Sequence, residues 1–303
     1  MPPLFQLHLL VVLLAATAIL GRLISLPAPA LVTWRTLLAA IGAALLVKMV
    51  RRRPLFVPRR QLMGLLGIGA IIGLHWTCFF GAIQLSNISI CLAGMATISL
   101  FTAFTEPLLE KRPIRPLEVG LGLLIVAGLA MVAGFERGRW LGLLVALGAA
   151  FLAAIFPVLN RRVVNTSDLD IQTMVAWEML GACATVLILQ PVLTGHLADP
   201  GTAYRGLLAF HGLDWLWLLI LAWVCTVFAH GFHIHLLRSL SAYTSNLAIN
   251  FEPVYGILAA ALLFGEHKDL HAGFYAGALT IVMANLLHAL IPRWRKKRVD
   301  QES

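Results

Sequence analysis

A few residues able to do chemistry stand inside long apolar stretches of this chain, where charge is costly. Arg35 follows Trp34 in LVTWRTLLAA, His75 and Trp76 interrupt GLHWTCFFGA, and Glu178 follows Trp177 in MVAWEMLGAC. Asn250, Glu252 and Tyr255 flank Pro253 in NLAINFEPVYGIL. A carboxylate in hydrocarbon costs at least ~2.5–3.5 kcal/mol, so Glu252 is expected to face protein or a water-filled cavity rather than lipid. Pro253 removes a helical hydrogen bond beside it, which a neighbour or a ligand must replace. A polar, broken spot inside a spanning helix is a candidate binding site. Water would reach Glu252 only through a cavity, which makes it a candidate proton carrier. The alternative is that it caps backbone groups freed by Pro253 or pairs with Arg35. Tyr255, at the next turn, is placed to hydrogen-bond its neutral form, whereas Asn250 faces elsewhere on the helix.

The other candidates each carry two readings. Arg35 falls ~9–10 Å below a membrane interface at 1.5 Å per residue; it either snorkels or pairs structurally, or it grips a carboxylate-bearing ligand bidentately. Glu178 enters from the other side at similar depth, so a direct Arg35–Glu178 bridge is not expected. His75 beside Trp76 suits a cavity for an amphipathic or aromatic ligand, or else Trp76 packs between helices and His75 donates to a carbonyl. His230, His233 and His235 lack the Cys or Asp that would complete a metal set and read as interfacial residues near headgroups. Glu110 and Glu266 read as solvated caps at helix ends.

The elements that must hold these residues are membrane helices. Apolar residues make up 60% of the 303, charged ones 12%, and mean hydropathy is +0.87. A soluble domain carries about 25% charged residues, so the composition implies an integral membrane protein. The net charge of +9 lies in short runs between apolar segments, which argues for membrane-flanking loops and against nucleic acid. Cys78, Cys91, Cys183 and Cys225 lie in apolar segments without CxxC spacing and read as reduced packing residues. No cofactor or metal motif is present.

At ~20 residues per crossing the chain holds about ten helices, near 4–25, 29–49, 61–84, 88–109, 117–135, 140–160, 171–193, 213–237, 241–264 and 270–291. Ala16-Thr17-Ala18 resembles a signal cleavage site, but no Lys or Arg precedes it. The basic runs at 48–60, 111–115, 161–162 and 293–298 follow even-numbered helices, which predicts a multi-pass inner-membrane protein with both termini cytoplasmic.

The chain also reads as written twice. Val32-Thr33-Trp34-Arg35 is echoed by Val175-Ala176-Trp177-Glu178, the run-in AIQLSNIS at 82–89 by LLRSLSA at 236–242, and Glu110 by Glu266. A unit of five helices crosses an odd number of times, so its second copy must be inverted. In the order of these motifs, with Pro-Val and Phe-Gly-Glu in helix 9, the chain resembles the EamA-like family of the drug/metabolite transporter superfamily over residues 4–291. Relatives often carry a proline in mid-helix 4, where Ala96-Thr97 stands here.

The expected fold is therefore an all-α polytopic membrane protein of two inverted five-helix repeats, 5–135 and 140–291, with a basic cytoplasmic tail at 292–303. The resemblance implies a secondary transporter that moves small organic metabolites, often outward, through a central cavity. Amino acids, related compounds and drugs are the classes it suggests, and protons and a homodimer stay open as partners beside the bilayer. ATP hydrolysis is excluded by the lack of a P-loop. An intramembrane enzyme is disfavoured because the only Asp in a predicted helix is Asp214, at the very start of 213–237, and neither HExxH nor GxSxG occurs. A lipid flippase remains the rival transporter reading.

Overall fold

The computed structural model describes residues 2–135, 137–268, 270–284 and 286–287. The basic tail at 292–303 and the end of the expected tenth helix lie outside the described residues. Within them the chain is helical, with no strand. We label the apolar helices α1 (Pro3–Leu23), α2 (Ala28–Val50), α3 (Arg59–Leu85), α4 (Ile88–Glu110) and α5 (Pro116–Phe135). There follow α6 (Trp140–Thr166), α7 (Ile171–Leu193), α8 (Asp214–Leu236), α9 (Ala242–Phe264) and α10 (Ala272–Ala284). Eight of these are long and apolar enough to cross a bilayer, while α5 and α10 have shorter apolar stretches. A short helix, Pro200–Arg205, lies in the α7–α8 connection.

Side-chain ties sort the connections onto two faces. On the basic face Arg51 pairs with Asp170 at 2.5 Å, and Arg161 pairs with Glu110 at 2.7 Å while also donating to the Leu240 carbonyl. On the opposite face the Ser25 hydroxyl donates to Asp214, and Gln84 bridges the Ala28 N–H and the Leu26 carbonyl. Two indoles reach across the molecule in a reciprocal way. Trp34 on α2 donates to the Leu207 carbonyl between α7 and α8, and Trp177 on α7 donates to the Leu55 carbonyl between α2 and α3. Each helix of the echoed pair thus pins the connection that follows the other.

Helices α4 and α9 share one construction. Each starts from a polar N-cap that satisfies an orphan N–H, Asn87 accepting from Ile90 and Ser241 from Thr244. Each breaks at the same distance from its start, at Ala96–Thr97 and at Asn250–Phe251. Each ends on a left-handed residue, Lys111 at φ 54° and Gly265 at φ 69°. Proline explains the break in α9, because Pro253 has no N–H to return to residue 249. In α4 no proline is needed: the Thr97 hydroxyl donates to the Gly94 carbonyl at 2.8 Å within the broken turn. Two π-helical stretches, Leu46–Val50 at the end of α2 and Trp223–Phe228 in α8, widen those helices further.

Glycines set two of the closest crossings. A Cβ on Gly69 of α3 would lie 2.0 Å from the Glu178 carbonyl oxygen, and one on Gly181 of α7 would lie 2.5 Å from that of Leu66. This contact, closer than any larger residue permits, fixes α7 against α3 and with it the depth of Glu178. On the periphery Gly128 of α5 and Gly277 of α10 meet in the same manner, a Cβ on either falling 2.6–2.8 Å from the other's carbonyl oxygen.

Candidate functional site

One cavity lies at the centre of the helices, with walls from α1, α2, α3, α4, α6, α8 and α9. Its volume of about 90 Å³ is several times the roughly 10–15 Å³ one water needs. Arg35, His75, Trp76 and Glu252 line it, together with Asn246, His230 and His233. The sequence places the first four in three separate helices; the fold brings them to one space. The broken turn of α9 stands beside it, so that Glu252 opens the second half of that helix and Asn246 belongs to the first.

Arg35 does not snorkel. It is 1% exposed, its Nε donates to the Thr226 hydroxyl at 2.8 Å, and its Nη2 donates to the Cys225 carbonyl at 3.2 Å. The Thr226 hydroxyl proton goes to the Leu221 carbonyl at 2.8 Å, which leaves its lone pair for Arg35. Both anchors lie in the π-helical stretch of α8, where backbone and side-chain acceptors are turned out of the regular ladder. The guanidinium carbon sits 3.7 Å from the centroid of the Trp76 ring, a cation–π contact within protein. One nitrogen, Nη1, is buried without a hydrogen-bond partner.

Acceptors come from α9. The Asn246 amide donates to the Thr102 hydroxyl at 2.8 Å, and its Oδ1 has no partner. Glu252 is 7% exposed, and among the described residues its carboxylate takes part in no hydrogen bond and no ion pair, with Arg35 or otherwise. A buried, unpaired donor and two unpaired acceptors thus belong to one cavity. Groups left in that condition cost free energy until a ligand or water satisfies them.

Histidines complete the wall. His75 donates through Nδ1 to the Ala149 carbonyl at 2.8 Å, so both readings of it hold at once: it is tied to the backbone and it lines the cavity. His233 shares a 2.6 Å hydrogen bond with the Ser245 hydroxyl. His230 contacts Glu178 Oε2 through Nε2 at 2.7 Å. Glu178 is fully buried on α7 behind this imidazole, is also approached by the Asn160 amide at 3.4 Å, and leaves Oε1 unpartnered. It reaches the cavity only through His230. The expectation that His230 and His233 lie near headgroups is corrected here, since both are buried and face inward; His235 alone is exposed. Their i, i+3 spacing was the signal that placed them on one face.

The remaining candidates stand apart. Asn250 is buried at the break of α9 and is not among the cavity-lining residues. Tyr255 is 39% exposed; three residues beyond Glu252 the helix has turned about 60° away from it. Glu266 is a cap, yet a buried one and for another helix: it accepts from the Ile88 and Ser89 N–H groups and the Ser89 hydroxyl at the start of α4. Among the described residues no cluster of His, Cys, Asp or Glu suits a metal ion.

Comparison with known proteins agrees with this architecture. The chain is 27% identical over 181 residues to a probable amino-acid metabolite efflux pump of Escherichia coli (strain K12), which covers 58% of either protein. It is 28% identical over 240 residues to the protein of the same description from Salmonella typhimurium, covering 76% of this chain and 77% of the relative. A protein of known crystal structure, 18% identical, superposes with a TM-score of 0.63 over 95% of this chain and 97% of its own, a likeness of fold. The EamA-like transporter family matches twice, over residues 2–134 and 140–290. A multi-pass helical protein matched along nearly its whole length in this way belongs to the EamA-like transporter family.

Proposed function

We propose that this protein is an exporter of amino acids and closely related zwitterions, working by alternating access around the central cavity. The observation that carries the reading is the cavity's unpaired set: Arg35 with a free Nη1, against Glu252 and the Asn246 Oδ1. A zwitterion offers a carboxylate to the guanidinium, which binds such groups well, and an ammonium to the acidic and amide oxygens. The likeness to two relatives described as probable amino-acid metabolite efflux pumps supports the same substrate class.

The coupling follows from one shared group. Glu252 can hold either the substrate ammonium or a proton, so a proton taken up from the outer side would displace the substrate there, and its loss on the inner side would free the carboxylate for the next substrate, which couples inward proton movement to export. The two family matches and the crossed Trp34 and Trp177 ties support a pair of inverted five-helix repeats as the moving bodies. With the basic face inside, the protein sits in the inner membrane with both termini in the cytoplasm.

The test uses purified protein in liposomes and counterflow of labelled leucine. Unlabelled leucine should compete, while leucine amide, which lacks the carboxylate, and N-acetyl-leucine, which lacks the ammonium, should compete at least about tenfold less well, a loss of ~1.4 kcal/mol or more. Equal competition by all three would remove the zwitterion reading, and absence of flux for a panel of amino acids would remove the substrate class.

A further inference from the structure

Two recesses on the basic face meet at shared residues. One, of about 440 Å³, is polar and lies between the α2–α3 connection, the start of α7 and the end of α8; it is lined by Arg51, Arg53, Arg238 and His235 with Asp168 and Asp170. The other, of about 510 Å³, is an apolar groove between α2 and α8, lined among others by Gly42, Leu45, Met49 and Trp223. Arg51, Gln172 and Phe228 line both.

We infer that this pair of recesses is a binding site for one anionic phospholipid, its phosphate held at Arg53 and Arg238 and one acyl chain laid along the α2–α8 groove. Charge argues for the head. Asp170 is engaged by Arg51 at 2.5 Å, while neither Arg53 nor Arg238 forms an ion pair with any described residue, so two arginines stand open against the remaining Asp168. Length argues for the tail. From Gly42 to Arg51 the helix advances ~14 Å at 1.5 Å per residue, which matches one leaflet, half of a ~30 Å hydrocarbon core.

Shape and hydrogen bonding agree. Both walls of the groove carry a π-helical stretch, Leu46–Val50 at the basic end of α2 and Trp223–Phe228 in the middle of α8, and large side chains stand open on the α2 wall: Met49 is 72% and Val50 70% exposed. Gly42 leaves the floor low beneath the Trp223 ring. Where head and tail regions join, Gln172 donates its amide to the Val227 carbonyl at 3.2 Å, which orients it, and leaves Oε1 buried without a donor. A hydroxyl-bearing headgroup such as glycerol supplies that donor. The site also touches the π-helical stretch of α8 whose other side holds Arg35, so an occupied groove braces the same segment that forms the central cavity.

The test is retention of lipid by the purified full-length protein, read by native mass spectrometry after exchange into detergent containing phosphatidylglycerol, phosphatidylcholine or inorganic phosphate. One phosphatidylglycerol should be retained in preference to phosphatidylcholine. Arg53→Gln with Arg238→Gln should weaken that retention about tenfold or more, because each surface arginine contributes several-fold. Val50→Glu, on the exposed groove wall, should do likewise without touching the arginines, and serves alone if the double variant is not recovered folded. Equal retention of both lipids, retention unchanged in the variants, or full displacement by inorganic phosphate alone would each overturn the proposal, the last by showing a site for a free anion only.

Discussion

Trp76 is the residue on which the cavity's two chemistries meet, since its ring both lines the space and carries the Arg35 guanidinium. A desolvated cation–π contact is worth about 2 kcal/mol, and the plate also fixes the direction of the arginine fork. Trp76→Phe should therefore leave the yield of folded protein in the membrane nearly unchanged while lowering amino-acid flux several-fold. Trp76→Ala should lower it further. Equal loss of flux and of folded protein in both variants would reduce Trp76 to packing. At this scale the sequence was informative about rare residues and poor about their neighbours. Arg35, His75, Trp76 and Glu252 stand out because charge and imidazole are expensive in apolar runs, and all four line the cavity. Asn246 and His230 do not stand out in the same way: one is a common polar residue, and the other lies near a helix end where a headgroup contact costs nothing. Tyr255, one turn beyond Glu252, is 39% exposed and is not among the residues lining the cavity.

The elements most responsible for the site are the interrupted helices. A regular α9 would present Asn246 and Glu252 on different faces; the break at Asn250–Phe251 lets both line the cavity. That break was legible from Pro253. The matching break of α4 was not, since a threonine hydroxyl bond at Gly94 leaves no mark that distinguishes it from an ordinary helical Thr. Most helix limits were readable to within a few residues, as runs of apolar residues between basic or proline-bearing connections must be; α6 is the exception, running six residues past 160 to Thr166, and the end of the tenth helix lies outside the described residues. Glu266 links the two interrupted helices: placed just past α9, it satisfies two N–H groups at the start of α4, where a carboxylate also complements the helix dipole. Hydrogen bonds to a charged group contribute about 1.5–3 kcal/mol. Glu266→Ala should thus cost about that much stability, seen as a lower thermal unfolding midpoint in detergent, and Glu266→Gln should recover part of it. An unchanged midpoint in Glu266→Ala would show that α4 keeps its start by Asn87 alone.

For the molecule as a whole, the division into two faces governs which end of the cavity meets which compartment. Phe56 is 81% exposed on the basic face and Leu197 is 68% exposed on the other. With the four native cysteines buried or half-buried, Phe56→Cys should be shielded from a membrane-impermeant thiol reagent in intact cells and Leu197→Cys should be labelled; the opposite pattern would reverse the orientation. The composition makes the membrane class plain and the repeated motifs suggest two copies. The α3–α7 contact and the anchorage of Arg35 could not be read, because they depend on which glycines let the two helices approach and on the π-helical turn of α8. The central claim, that Glu252 exchanges a substrate ammonium for a proton inside one cavity, is tested most directly by Glu252→Gln in liposomes with an imposed pH gradient. This change keeps the shape and a hydrogen-bonding oxygen but cannot bind and release a proton. Gradient-driven amino-acid flux should vanish while substrate-for-substrate exchange persists; gradient-driven flux undiminished in Glu252→Gln would contradict it.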